Sequence, residues 1–127
     1  MTSVPSLKPT DSELEILRII WQLGPSSVRQ VNDVLNEKRK VGYTTTLKLM
    51  QIMHEKGLLG RKEKGRMHVY MATIKENETQ ALLLDRFVES AFGGSAVNLV
   101  MQALGKHSTT PEELEKLKDL IKKLEKE

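Results

Sequence analysis

The chain has no cysteine among its 127 residues. That absence excludes disulfides, thiol redox sensing and every cysteine-based metal site, and it fits a reducing compartment. No apolar run approaches the roughly 20 residues that a bilayer span requires, so membrane insertion is not expected. Met1-Thr2-Ser3-Val4-Pro5 lacks the charged n-region and apolar core of a secretory leader, and a cytoplasmic location is expected. Paired carboxylates, a nucleophile beside a base and a phosphate-cradling glycine loop are all missing at the spacings catalysis needs, so an enzyme is not expected. His54, His68 and His107 are too scattered for a local ligand set. No metal or other cofactor is expected.

What remains bounds the molecule. With 39% hydrophobic residues, the chain suits one globular domain, or a small domain with an oligomerisation appendage. Its net charge of +3 is unevenly placed: residues 1–75 carry 13 Lys+Arg against 7 Asp+Glu, and residues 76–127 carry 7 against 10. A positive field over the first part steers that part toward polyanions without conferring sequence specificity. The plainer alternative is an ordinary solvated surface.

Thr10 and Glu13 form a T-x-x-E capping box, followed by Leu14, Ile16, Leu17, Ile19, Ile20, Trp21 and Leu23 up to Gly24-Pro25. This predicts a well-buried first helix on which the sole Trp is core rather than a ligand platform. Ser26 or Ser27 can cap a second helix on which Val28, Val31, Val34 and Leu35 share a face, with Lys38-Arg39-Lys40 at its cation-favouring end. After Val41-Gly42, Tyr43-Thr44-Thr45-Thr46 opens a third helix. Leu47, Met50 and Met53 repeat on it at helical spacing, Leu49 and Ile52 widen the stripe, and Gly57 ends it. Then Leu58–Lys62 and Met67–Met71 flank Glu63-Lys64-Gly65-Arg66, with Val69 and Met71 alternating with more polar neighbours. These runs predict a hairpin with a cationic tip. Three helices with short connections and then a hairpin make the winged helix-turn-helix plan, in which the third helix enters the groove of duplex DNA.

Beyond Ile74 only helices are expected. Ala81 to Phe92 form one that stops at Gly93-Gly94, Ser95 to Leu104 a second, and Thr110-Pro111-Glu112-Glu113 caps a third bearing Leu114, Leu117, Leu120, Ile121 and Leu124. Their apolar faces need a partner surface, and the simplest one is a second copy of the chain. The alternative is folding back on the chain's own winged domain. The expected fold is therefore mainly α with a small β-hairpin: a winged helix-turn-helix domain over residues 1–74 and a helical dimerisation domain over 75–127. Dimer contacts are expected at Leu83, Phe87, Phe92, Val97, Val100, Leu104, Leu114, Leu117, Leu120, Ile121 and Leu124.

Thr10-Asp11-Ser12-Glu13-Leu14-Glu15-Ile16-Leu17 leading to Trp21, Tyr43-Thr44-Thr45, Glu55-Lys56-Gly57-Leu58, Phe92-Gly93-Gly94-Ser95 and Pro111–Leu117 together resemble the BlaI/MecI/CopY repressors. The resemblance covers nearly the whole chain. It implies a homodimeric bacterial repressor on a pseudo-palindromic operator, of a β-lactam-resistance or related stress operon, inactivated by an upstream signalling protease. The chain departs from the family in three ways. It lacks the cysteine motif of the copper-responsive branch, which excludes a thiolate metal sensor. The usual Asn-Phe cleavage position reads Gln102-Ala103, which leaves cleavage open. Val41 and Ile52 stand where members often have Trp and Arg, so operator contacts do not transfer unaltered.

Base readout is expected from Thr44, Thr45, Thr46 and Lys48, with Gln51 at the edge of reach, since Thr offers a donor, an acceptor and a methyl contact to thymine. One of these threonines is expected to cap the helix, and the plainer reading of another is that it simply packs. Phosphate positioning falls to Arg29, Lys62, Lys64 and Arg66. Two other classes fit the same residues: a winged-helix protein-interaction module, and a ligand-sensing winged-helix regulator of another family.

Overall fold

Thr10 opens the first helix through a reciprocal pair of bonds. Its hydroxyl accepts from the Glu13 amide at 3.2 Å, and its own amide donates to the Glu13 carboxylate at 2.9 Å. Two of the free donors at the helix start are thereby satisfied. The computed structural model describes residues 8–127, and the Met1–Pro5 stretch read for a leader lies outside them. The elements run α1 (Asp11–Leu23), α2 (Val28–Leu35), α3 (Tyr43–Glu55), β1 (Leu59–Lys64), β2 (Met67–Ala72), α4 (Glu76–Phe92), α5 (Ala96–Lys106) and α6 (Pro111–Glu125). The mainly helical plan with a hairpin after three helices is the one the sequence predicts.

Helix α3 ends in a Schellman motif. Gly57 takes φ +85°, and the amides of Gly57 and Leu58 donate to the carbonyls of His54 and Met53 at 3.1 and 2.9 Å. Leu58 and Met53 are both fully buried there, which is the apolar contact that accompanies this cap. The chain thus turns directly into the hairpin. β1 and β2 pair antiparallel from Leu59↔Ala72 to Lys64↔Met67, around the two-residue loop Gly65-Arg66. Only Gly65 has positive φ in that loop, the pattern of a type II′ turn.

One core closes over these elements. Ile16, Leu17 and Ile20 of α1, Val31 and Leu35 of α2, Met50 and Met53 of α3, and Leu58, Leu59 and Tyr70 of the hairpin are buried together. Ser26 and Tyr70 exchange two backbone hydrogen bonds, at 2.9 and 2.8 Å, which fastens the α1–α2 connection to β2. The Trp21 indole Nε1–H donates to the Ile74 carbonyl at 3.0 Å. Glu13, nearly buried, accepts from Lys56 Nζ through both carboxylate oxygens at 2.9 Å, tying the start of α1 to the end of α3. Burial alone pushes the Glu13 carboxyl up, but the Lys56 ammonium and the Thr10 backbone amide outweigh it and hold the group below its ordinary value.

Several sequence expectations change. Leu23 is 53% exposed as the last residue of α1, past the end of the core, and Ile52 is 42% exposed, turned toward the exposed Thr45 side of α3. Lys38-Arg39-Lys40 lie beyond the end of α2 rather than in its last turn. Arg39 instead makes two bonds to Glu15, at 2.8 and 2.7 Å. In β2 the residue driven fully into the core is Tyr70, while Val69 and Met71 on the opposite face are only half-buried. Of the two serines expected to cap α2, Ser27 does so, and Gln30 completes a capping box. No threonine caps α3, whose N-cap is Gly42 without a side-chain bond.

The chain parts into two compact units, one ending at Leu84 and the other spanning Asp85–Glu127, so α4 begins in the first and ends in the second. In the second unit, Gly93 and Gly94 at φ +58° and +91° end α4, and Phe87 and Phe92 meet edge to face at 5.7 Å between centroids. Thr110 and Glu113 form a capping box on α6, with Pro111 at the first helical position. No residue of α5 or α6 is buried.

Candidate nucleic-acid interface

The exposed side of α3 follows from which of its residues the core takes. Met50 and Met53 turn inward and Leu47 is half-buried, so the opposite arc is left to solvent. Thr44, Lys48 and Gln51 are spaced i, i+4 and i+7 and make one exposed stripe, with Thr45 exposed beside it. Thr46 is not on this surface. It is 1% exposed, and its hydroxyl accepts from Asn32 Nδ2 at 2.8 Å and faces the Gly42 carbonyl at 3.4 Å. Thr46 stands about 200° round the helix from Thr44, and that rotation removes it from base readout.

At the start of α3 lies a pair that the sequence did not single out. Arg29 is placed by the first turn of α2, and its guanidinium lies over the Tyr43 ring, 5.5 Å from the centroid. This is a cation–π contact that holds the cation at the helix start. Gln30, Tyr43, Arg66 and His68 join Arg29 around a groove of about 620 Å³ between α2, α3 and the hairpin. The signal for the pair was an aromatic residue opening α3 and an Arg opening α2, in helices joined by a short turn.

The wing cations divide between two faces. The register sets Arg61 opposite Tyr70 and Glu63 opposite His68, whereas Lys62 faces Val69 and Lys64 faces Met67. Directly opposed residues share a face of the sheet. Arg61, Glu63 and His68 therefore extend the face that Leu59 and Tyr70 carry into the core, and Lys62 and Lys64 extend the other. Arg66 sits in the tip. Glu63 lies 3.6 Å from His68 Nε2. Arg61 was not among the predicted contacts. The two-residue turn at Gly65-Arg66 fixes the register, and counting back from it places Arg61 on the face of Tyr70.

The helices from α4 onward present different side chains. Phe87, Val97, Val100, Leu104, Leu114, Leu120, Ile121 and Leu124 are exposed, Val97 to 69%, while Leu83, Phe92 and Leu117 are half-buried. Leu84 and Met101, outside the predicted set, are exposed too. Large apolar side chains exposed in this number need a covering surface. Among the described residues, no group of three His, Asp or Glu is arranged to hold a metal ion. No helix there is long and apolar enough to cross a membrane.

Comparison with known proteins gives consistent matches. The family described as penicillinase repressor matches residues 9–123. The chain is 21% identical over 114 residues to the methicillin resistance regulatory protein MecI of Mammaliicoccus sciuri, an alignment covering 90% of this chain and 93% of that one. It is 27% identical over 125 residues to the penicillinase repressor of Bacillus licheniformis, covering 95% and 93%. Among solved structures, a MarR family protein from Bacillus stearothermophilus matches with a TM-score of 0.54 at 17% identity, over 95% of this chain and 76% of that one. That last likeness is one of fold.

Proposed function

The chain belongs to the penicillinase repressor family and is a winged-helix transcriptional repressor of the BlaI/MecI group; from that premise we propose that it acts in the cytoplasm as a homodimer, holding a pseudo-palindromic operator with two copies of α3. The observation that carries this reading is the stripe of Thr44, Lys48 and Gln51, exposed on a helix braced from behind by the core and flanked by the cationic hairpin. Hydroxyl and amide groups on that stripe suit base edges in the major groove. Arg29, Lys62, Lys64 and Arg66, joined by Arg61, suit phosphates, which set orientation rather than sequence.

The open apolar surface of the second unit supports a second copy as the dimer partner. Two readers joined in this way span half-sites about one duplex turn apart, roughly 34–36 Å. Occupancy of such a site blocks polymerase. The names of the relatives, a methicillin resistance regulator and a penicillinase repressor, support an operon of β-lactam resistance or a related stress. Release would follow loss of the dimer, and a signalling protease cutting α5, where Gln102-Ala103 is exposed, would achieve it.

The test is the double substitution Lys64→Glu with Arg66→Glu, in a salt titration against DNA from upstream of the protein's own gene. Affinity should fall on the order of a hundredfold, and the dependence of log K on log salt should flatten by about two. Full affinity in the double variant would remove the wing from the mechanism and bring the protein-interaction reading forward.

A further inference from the structure

Behind the reading stripe, α2 and α3 are joined by side-chain amides rather than by apolar packing alone. Asn32, half-buried on α2, donates through Nδ2 to the carbonyls of Val41 and Gly42 at 3.1 and 3.2 Å and to Thr46 Oγ1 at 2.8 Å. Asn36 closes the outer side. Its Nδ2 donates to the Val41 carbonyl at 2.9 Å, to the Asn32 carbonyl at 2.7 Å and to Asn32 Oδ1 at 3.2 Å, and its Oδ1 accepts from the Val41 amide at 3.1 Å. Gly42 is the N-cap of α3, and its carbonyl also accepts the first bond of that helix, from Thr46 at 3.2 Å. One amide on α2 therefore grips both the cap of α3 and the first inward side chain one turn later.

The hydrophobic driving force is non-directional, whereas hydrogen bonds demand direction as well as distance. Two grip points one turn apart on α3 fix its rotation and axial position against α2, and so fix where Thr44, Thr45 and Lys48 point. The net contribution of such bonds to stability is modest. Their loss would leave the fold standing and loosen the angle of the reader.

We propose that Asn32, Thr46 and Asn36 form a positioning lock that sets the operator specificity of α3 without touching DNA. The proposal rests on the operator-binding reading, so the experiment separates the two. The full chain first selects preferred duplexes from a random-sequence pool, and affinities for the selected and a scrambled duplex are then measured for wild type, Thr46→Val, Thr46→Ser and Asn36→Ala. Val matches Thr in shape but lacks the hydroxyl. Thr46→Val should lose discrimination by on the order of tenfold, comparable to one wrong base pair, while scrambled-duplex affinity and salt dependence stay unchanged. Thr46→Ser should restore discrimination. Asn36 is exposed, so Asn36→Ala should fold and show a smaller loss of the same kind even if Thr46→Val is unstable. Unchanged discrimination in both Thr46→Val and Asn36→Ala, or equal loss on both duplexes, overturns the lock. A wild-type chain that selects no preferred sequence overturns the operator reading beneath it.

Discussion

The two units carry the same kind of helical apolar pattern and come to opposite ends. In the first, residues from Ile16 to Ile74 interlock into one buried cluster fed by three helices and a hairpin. In the second, α5 and α6 bury nothing, and Val97 and Met101 are each 69% exposed. The difference is one of closure. A hairpin folded back across three helices covers most of their apolar side chains, whereas helices added in sequence leave a stripe facing outward unless another surface meets it. On the proposed function, reading and dimerisation would be separable: the first unit buries a core of its own, and the exposed apolar side chains of the second call for a partner.

The sharpest way to break the comparison is to charge the open face. Ile121→Asp with Leu124→Asp should halve the mass in solution and lower operator affinity by about 10² to 10⁴, the gain that joining two readers gives, while thermal unfolding of the first unit is unchanged. A dimer that survives these charges would move the interface elsewhere. Next in size is Met53→Ala in the closed core, which should cost about 2–5 kcal/mol of stability by the midpoint of urea unfolding and leave the mass of the folded protein unaltered.

A smaller effect follows from Glu13. Its folded carboxyl titrates below its ordinary value of 4.5, so the pair with Lys56 contributes fully above about pH 4.5 and its contribution fades as pH falls through the lower folded value. Between about pH 5 and pH 3, wild type should lose more stability than Glu13→Gln, by about 1 kcal/mol or less given the solvent screening at Lys56. Parallel pH profiles would show that the pair contributes nothing. Smallest of all is Lys62→Gln, which should reduce the salt slope of DNA binding by about one with no change in stability. An unchanged slope would assign the phosphate contacts to the face of the wing that carries Arg61.

Much of the fold was legible because caps and periodicity are local. The boxes at Thr10 and Thr110, the glycine after α3 and the turn at Gly65 all reported their elements directly. What sequence could not give was partners across the fold. Thr46 stands four and seven residues before Met50 and Met53, so helical spacing already set it on their buried face, but that its hydroxyl would meet Asn32 of α2 was not legible. Tyr70 likewise stood unnoticed beside Val69 and Met71, because its burial depends on pairing with Ser26 across the fold. The Arg29–Tyr43 contact joins two helices and so carries no signal in either alone.

The most direct test of a two-reader repressor is the mass of the complex between the full chain and the shortest duplex that keeps full affinity. Two chains on one duplex whose two half-sites lie about one helical turn apart is the predicted result. One chain per duplex at full affinity, or no preference over scrambled DNA, would contradict it.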